Sequence, residues 1–216
     1  MNLCQIILSS LIIVILIIVI WLSYNLIYRK CHKKESNKSR QDILRYLYKS
    51  IMTEFNKTNI PIWLDFGTLL GYYRENDIIC YDPDLDLSGF YSDKKHIYKI
   101  LKLVEQNNKD IYVHNKCILP GIICMYAVIH KPTGIFADIL LYTKKKNRYV
   151  GGFPINSFKY IIDKDILEPL QKVMFLGHQV YIPNKPDVLL KQLYGENYMT
   201  PILICDNECN NCKPNI

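Results

Sequence analysis

Residues 3–28 are almost wholly apolar, and the first charged side chain is Arg29. Roughly 20 apolar residues in helical form cross a hydrocarbon core of about 30 Å. The run is too long for a cleaved signal peptide and no small-x-small cleavage site follows it, so residues 1–28 are predicted to form an uncleaved single-pass membrane anchor. Beyond it the pattern turns amphipathic. Ser39-x-x-Asp42 reads as a capping box, and Ile43, Leu44, Leu47, Tyr48, Ile51, Met52 and Phe55 recur at helical spacing as far as Lys57. An apolar strand over 60–66 follows, then Gly67-Thr68 and a short helix over 69–74. A strand carries Asp84 and Asp86, and Ser92 caps a helix with Ile97, Ile100, Leu101 and Val104 on its apolar face. The branched-rich runs 122–129 and 135–142, joined by residues 130–134, predict a β-hairpin. A second hairpin is predicted over 173–182, with Gly177-His178 as its turn and His178 facing solvent. Pro186 opens a helix that Gly195 closes.

The net charge of +7 is mostly local. Arg29, Lys30, Lys33, Lys34, Lys38 and Arg40, against Glu35, form a basic juxtamembrane linker over 29–40 that supplies five of those seven charges. The remainder is nearly neutral and carries no electrostatic footprint for nucleic acid. The linker reads as a membrane-surface patch and topology signal, and the positive-inside rule puts the carboxy-terminal domain on the cytosolic face. Asn37-Lys38-Ser39 and Asn56-Lys57-Thr58 read instead as glycosylation acceptors of a lumenal domain, so sidedness stays open. About 175 residues follow the anchor and linker, enough for one good core. Of eight cysteines, Cys80, Cys117 and Cys124 lie in apolar segments and read as small core residues. Cys205, Cys209 and Cys212 cluster in the tail over 202–216, where a disulfide, free thiols or three zinc ligands all fit.

Candidate chemistry centres on YDPDLDLSGF. If residues 84–87 are extended, the period of two puts Asp84 and Asp86 on one face with Cα atoms roughly 7 Å apart. Converging carboxylates make a site for Mg²⁺ or Mn²⁺, whose other positions go to water and substrate phosphates. Gly67-Thr68 falls where a strand gives way to a helix, and free N–H groups at such a start attract anions. Taken alone, a DxD is better explained by a solvated turn; the Gly-Thr element favours the metal reading. Asp138 sits in the middle of an apolar strand, where an unpaired carboxylate is costly. It therefore needs a metal, a cation or hydrogen bonds, and a third metal-site carboxylate from a neighbouring strand is the preferred reading.

The run WLDFGTLLGYYRENDIICYDPDLDLSGF resembles the signature of the LicD/fukutin family of phosphotransferases, and ILEPLQKVMFLGHQVYIPNKPDVLLKQLYGENYMTP is similar to the family's carboxy-terminal block. The resemblance spans residues 41–201 and implies a nucleotidyltransferase fold of the α/β (α+β) class, a mixed β-sheet flanked by helices, here preceded by the transmembrane helix. It implies transfer of a phospho-alcohol, such as phosphocholine or ribitol phosphate, from a CDP-alcohol donor to a glycan or glycolipid acceptor. Asp84, Asp86 and Asp138 are then the catalytic metal ligands for Mg²⁺ or Mn²⁺, with Asp138 as ligand or base in two-metal transfer. Gly67, Thr68 and Arg74 are expected on the donor phosphates, and Asp82 in support of the loop. Eukaryotic relatives would put the domain in the ER/Golgi lumen. Cys80-Tyr81, Phe66 and Tyr72-Tyr73 depart from the family pattern beside the donor pocket. The competing readings are a DxD glycosyltransferase using a nucleotide-sugar and a catalytically silent, membrane-anchored scaffold.

Overall fold

The computed structural model describes residues 37–116, 124–151 and 161–200, with two short strands at 203–204 and 213–214. The expected anchor, most of the basic linker, Cys117 and the three tail cysteines lie outside the described residues. Among the described residues, no helix is long and apolar enough to cross a membrane.

Helix α1 (Asn37–Phe55) exists because its apolar positions form a continuous stripe. Leu44, Leu47, Tyr48, Ile51, Met52 and Phe55 are all buried along it. The helix starts two residues before Ser39, so that serine lies in the first turn rather than at the cap. Strand β1 (Ile62–Leu64) is shorter than the apolar run that predicts it, because helix α2 (Phe66–Glu75) already begins at Phe66. Asp65 caps α2, its carboxylate accepting the Phe66 N–H at 3.0 Å, and Asn76 closes the helix in the left-handed region at φ 52°. Gly67 and Thr68 are thus inside the helix. Strand β2 (Leu85–Phe90) follows, then a 3₁₀ turn (Tyr91–Asp93) and helix α3 (Lys94–Asn107). Ser92 falls in that turn, and the N-cap residue of α3 is Asp93, which makes no side-chain cap bond. Strands β3 (Ile111–Asn115), β4 (Met125–His130), β5 (Phe136–Lys145), β6 (Arg148–Gly151) and β7 (Ile161–Asp163) lead to a one-turn helix α4 (Lys164–Leu167). Strands β8 (Gln171–Phe175) and β9 (His178–Ile182) and helix α5 (Pro186–Tyr194) complete the body. A two-residue ladder, β10 (Leu203–Ile204) with β11 (Lys213–Pro214), follows it.

One mixed sheet runs in the order β3-β4-β5-β2-β1-β9-β8, with β6 and β7 continuing from the far half of β5. The predicted β4–β5 hairpin is present and antiparallel. At the β8–β9 turn Leu176 and Gly177 both have positive φ (45° and 80°), which suits the right-handed twist of a hairpin. The turn therefore falls one residue earlier than expected, and His178 becomes the first residue of β9, half-buried with its ring 6.2 Å from that of Tyr48. The local pattern does not foretell the pairing that matters most. β2 lies parallel to β5, with Asp86 opposite Asp138, while β1 runs antiparallel to β2 and parallel to β9.

Leu85, Leu87 and Gly89 alternate with Asp86 and Ser88 along β2. Gly89 abuts α3 so closely that an added Cβ would come within 2.7 Å of Ile97 Cδ1. That side of the sheet is the main core, with Ile97, Leu101 and Val104 of α3 and the α1 stripe fully buried. Glu54 is buried there as well, and Lys57 and Asn107 satisfy its carboxylate. Cys80 is a buried thiol, as read from its apolar setting. Cys124 is buried too but disulfide-bonded. An apolar run buries a cysteine in either state, so sequence could not separate the two.

Candidate active site

The site forms where β1 ends, α2 begins and β2 and β5 lie side by side. Phe66 starts α2 with φ 39°, a conformation that costs a non-glycine residue roughly 1–3 kcal/mol and clusters at functional sites. After this turn the Gly67 N–H donates to Asp86 Oδ2 at 3.1 Å. One residue on, the buried Thr68 hydroxyl accepts the Asp86 N–H at 2.7 Å. Both members of the Gly-Thr pair therefore fix Asp86. Gly67 is required by contact as well: a Cβ there would lie 2.3 Å from Asp82 Oδ2.

Asp84 stands one residue before β2, just after Pro83, rather than within the strand. It still shares a cavity of about 270 Å³ with Asp86 and Asp138, lined also by Phe66, Leu87, Met125 and Leu140. The in-register pairing of Asp86 with Asp138 across parallel strands carries their side chains to one face. Asp138 meets one cation, Lys116, whose Nζ is 3.5 Å from Oδ1.

Burial raises every acid in this region, and repulsion between carboxylates adds to it at Asp82, Asp84 and Asp86. Asp84 is pushed up to about 6 by burial and then by the charge of Asp138, with Lys116 opposing. Burial, followed by Asp84, Asp82 and Asp65, holds Asp86 well above the usual carboxylate range. Asp138 is raised by burial and partly restored by Lys116. Asp82 is pushed up to about 7 by burial and Asp84, and its Oδ2 has no hydrogen-bond partner among the described residues. Asp65 is fully buried beneath, accepting the Ser88 hydroxyl at 2.7 Å, and burial lifts it to about 6. Tyr194 is 43% exposed, yet burial and the charges of Asp86, Asp82 and Asp65 push its phenol up.

The donor set suits a hard divalent cation. It is all oxygen and crowded with like charge, and the orphaned buried carboxylate oxygen of Asp82 lies behind it, against Gly67. Among the described residues no three such side chains stand at metal-holding geometry. The acids as they stand form no closed cage, and a divalent cation held here would take most of its shell from water and phosphate.

Of the residues predicted from sequence, Asp84, Asp86 and Asp138 come together, and Gly67 and Thr68 support them. Arg74 does not line the cavity. Its Nε donates to the Tyr198 carbonyl at 2.6 Å, its Nη2 donates to the same oxygen, and the Thr200 carbonyl accepts at 3.4 Å. Lys116, Tyr194 and Met125 were not predicted. No motif marks them, since each reaches the site only through strand order or the packing of α5.

The acidic cavity thus lies beside a helix start on the central strands of a mixed α/β sheet. Residues 59–185 match the model of the LicD/FKTN/FKRP nucleotidyltransferase domain, and the chain belongs to that family. An uncharacterised protein of Rickettsia typhi is 32% identical over 158 residues, covering 71% of this chain and 46% of that protein. Its counterpart in Rickettsia prowazekii is 29% identical over 157 residues, covering 71% and 54%. Ribitol-5-phosphate transferase FKTN of Homo sapiens is 41% identical over 58 residues, 27% of this chain and 12% of that one. The chain spans about half the length of the rickettsial relatives. Among solved structures, ANT(2″)-Ia with adenylyl-2″-tobramycin is 12% identical at a TM-score of 0.43, covering 64% of this chain and 68% of that one.

Proposed function

We propose that this chain is a membrane-anchored, metal-dependent phosphotransferase that moves a phospho-alcohol from a CDP-linked donor to a glycan hydroxyl. The observation that carries the reading is the in-register placement of Asp86 beside Asp138 on parallel strands, with Asp84 lining the same cavity. A bound Mg²⁺ or Mn²⁺ would polarise the donor phosphate and offset the charge of the departing nucleotide. Asp84 and Asp86 would hold the ion from the β2 side, and Asp138 would join them as the ion draws the carboxylates together, or act as the base that takes the acceptor hydroxyl proton. Gly67 and Thr68 hold the Asp86 carboxylate and backbone, so its orientation does not depend on the substrate. Phe66, Met125 and Leu140 form an apolar part of the cavity wall. Family membership and the segment shared with FKTN support phosphotransfer chemistry, and that relative's name makes ribitol phosphate one candidate group.

Residues 1–28 supply the anchor, residues 29–40 the basic linker, residues 41–201 the catalytic domain and residues 202–216 the tail. The disulfide at Cys124 favours an oxidising compartment, and hence the lumenal orientation over the cytosolic one suggested by charge.

The test is thermal stability of the full chain in detergent with CDP-ribitol, CDP-choline and a panel of nucleotide-sugars, each with and without Mg²⁺. A ligand that binds only the folded state stabilises it by about 2.7 kcal/mol at a hundredfold excess over Kd. The expected outcome is a metal-dependent rise with one CDP-alcohol that Asp84→Asn removes. A rise with a nucleotide-sugar alone would replace this reading with a glycosyltransferase, and no rise with any nucleotide would replace it with a silent scaffold.

A further inference from the structure

Arg74, the cation expected on the donor phosphates, is occupied by two backbone carbonyls. Yet a cavity bearing three carboxylates needs positive charge of its own to accept a polyanionic donor, even with a metal bound. The charge of Arg40 acts on Asp82, which is not among the cavity-lining residues. Lys116 is the described cation whose ion pair reaches a cavity-lining carboxylate.

Its position is fixed by backbone. The Lys116 N–H donates to the Met125 carbonyl at 3.0 Å, extending the β3–β4 ladder by one step and setting the lysine beside a cavity-lining residue. The side chain runs along Phe136, with Nζ 5.2 Å from the ring centroid, towards Asp138. The pair it makes there is loose. At 3.5 Å it lies beyond the usual 2.7–3.2 Å for N–H···O, and the lysine is 36% exposed. A partly exposed, poorly aligned pair contributes little, so exchanging Asp138 for another anion costs little. An ammonium on a flexible stem, with three rotatable donors, suits a phosphate oxygen whose position depends on the bound substrate.

We propose that Lys116 is the phosphate-pairing residue of this site: when a metal takes Asp138, the ammonium swings from that carboxylate to a non-bridging phosphate oxygen of the donor. The inference rests on the phosphotransferase reading and assigns to Lys116 the role that sequence spacing assigns to Arg74.

The test uses the full chain in detergent, with Mn²⁺ binding followed by electron paramagnetic resonance and pyrophosphate binding by calorimetry at saturating Mn²⁺. Lys116→Met should weaken pyrophosphate binding by at least about tenfold, as expected for loss of a charged hydrogen bond. Lys116→Arg should restore most of it. Mn²⁺ affinity without pyrophosphate should be unchanged or higher in Lys116→Met, because a cation competing for Asp138 is gone. If native protein binds Mn²⁺-pyrophosphate and Lys116→Met binds it equally well, the assignment is wrong while the phosphotransferase reading stands. Should Lys116→Met lose Mn²⁺ and pyrophosphate in equal measure, the lysine merely props Asp138 and the assignment again fails. Absence of pyrophosphate binding in the native chain would overturn both.

Discussion

The two faces of the central sheet are built on opposite principles. The face under α1 and α3 buries Leu44, Leu47, Ile51, Ile97, Leu101 and Val104, and Glu54, an acid buried with them, is paired with Lys57 and Asn107. The other face, beside the start of α2, gathers Asp65, Asp82, Asp84, Asp86 and Asp138, with Lys116 as the partner of Asp138. One face lowers the free energy of the fold. The other holds like charges together against their repulsion. Stability and chemistry are therefore separable in this domain, and substitutions should sort cleanly between them.

The sharpest break of that comparison is Asp86→Asn. With the CDP-alcohol selected by the thermal screen, turnover should fall on the order of 10³-fold, since a metal ligand in this role contributes several kcal/mol. Urea denaturation of the metal-free protein should show equal or greater stability, because a buried like charge is gone. Undiminished turnover would remove Asp86 from the site.

Leu47→Ala is the converse. It should lose about 2–5 kcal/mol of stability by the same denaturation measurement, as large-to-small core changes do. Its Mn²⁺ affinity, read by paramagnetic resonance in the folded protein, should match the native value; a marked change would mean that the two faces are coupled.

Ser88→Ala probes the boundary between the faces. It removes the hydroxyl donor from the fully buried Asp65 and should cost about 1–3 kcal/mol. Because Asp65 caps α2, a smaller loss in turnover should accompany it through displacement of Gly67.

The mildest effect is that of pH. Asp65 and Asp82 have folded values of about 6 and about 7, above those of a free carboxyl. The folded state thus holds more protons between pH 4 and 7, and its extra stability is complete below the unfolded value and lost as pH rises through the folded ones. Melting temperature of the metal-free chain should fall on the order of 5 °C from pH 5 to pH 7.5, a shift set by the size of the domain. A flat profile would mean these acids are not buried as described.

Sequence pattern gave access to the site unevenly. Alternation in Asp84-Leu85-Asp86-Leu87 was enough to put two carboxylates together, although Pro83 delays the strand until Leu85. The apolar run around Asp138 marked an acid in need of a partner; Lys116 is the one the structure shows, and Asp86 lies beside it on the adjacent strand. That the strand is β2, and the pairing parallel, is set by a crossover through α3, β3 and β4 that no local spacing encodes. Pro186 and Gly195 delimit α5 as read, because proline and glycine act on their own backbone. Arg74 misled for the opposite reason: its partners are carbonyls 124 and 126 residues away. Lys116 was invisible, being one lysine among many, recruited only by the fold of β3 against β4.

The Asp86–Asp138 register has a consequence for how the chain reaches its folded state. In a sheet with a side-chain period of two, a slip of one residue exchanges the faces of a strand. A slipped β2 would drive Asp86 beneath α1 and α3 and turn Leu85 out of the core. Such a product would be both inactive and poorly packed, so correct strand alignment and assembly of the carboxylates are a single event. Quality control of folding then serves as quality control of catalysis. An insertion of one residue within β2 should yield chains that are degraded, whereas one in the exposed turn at Lys131-Pro132 should leave a folded, competent domain.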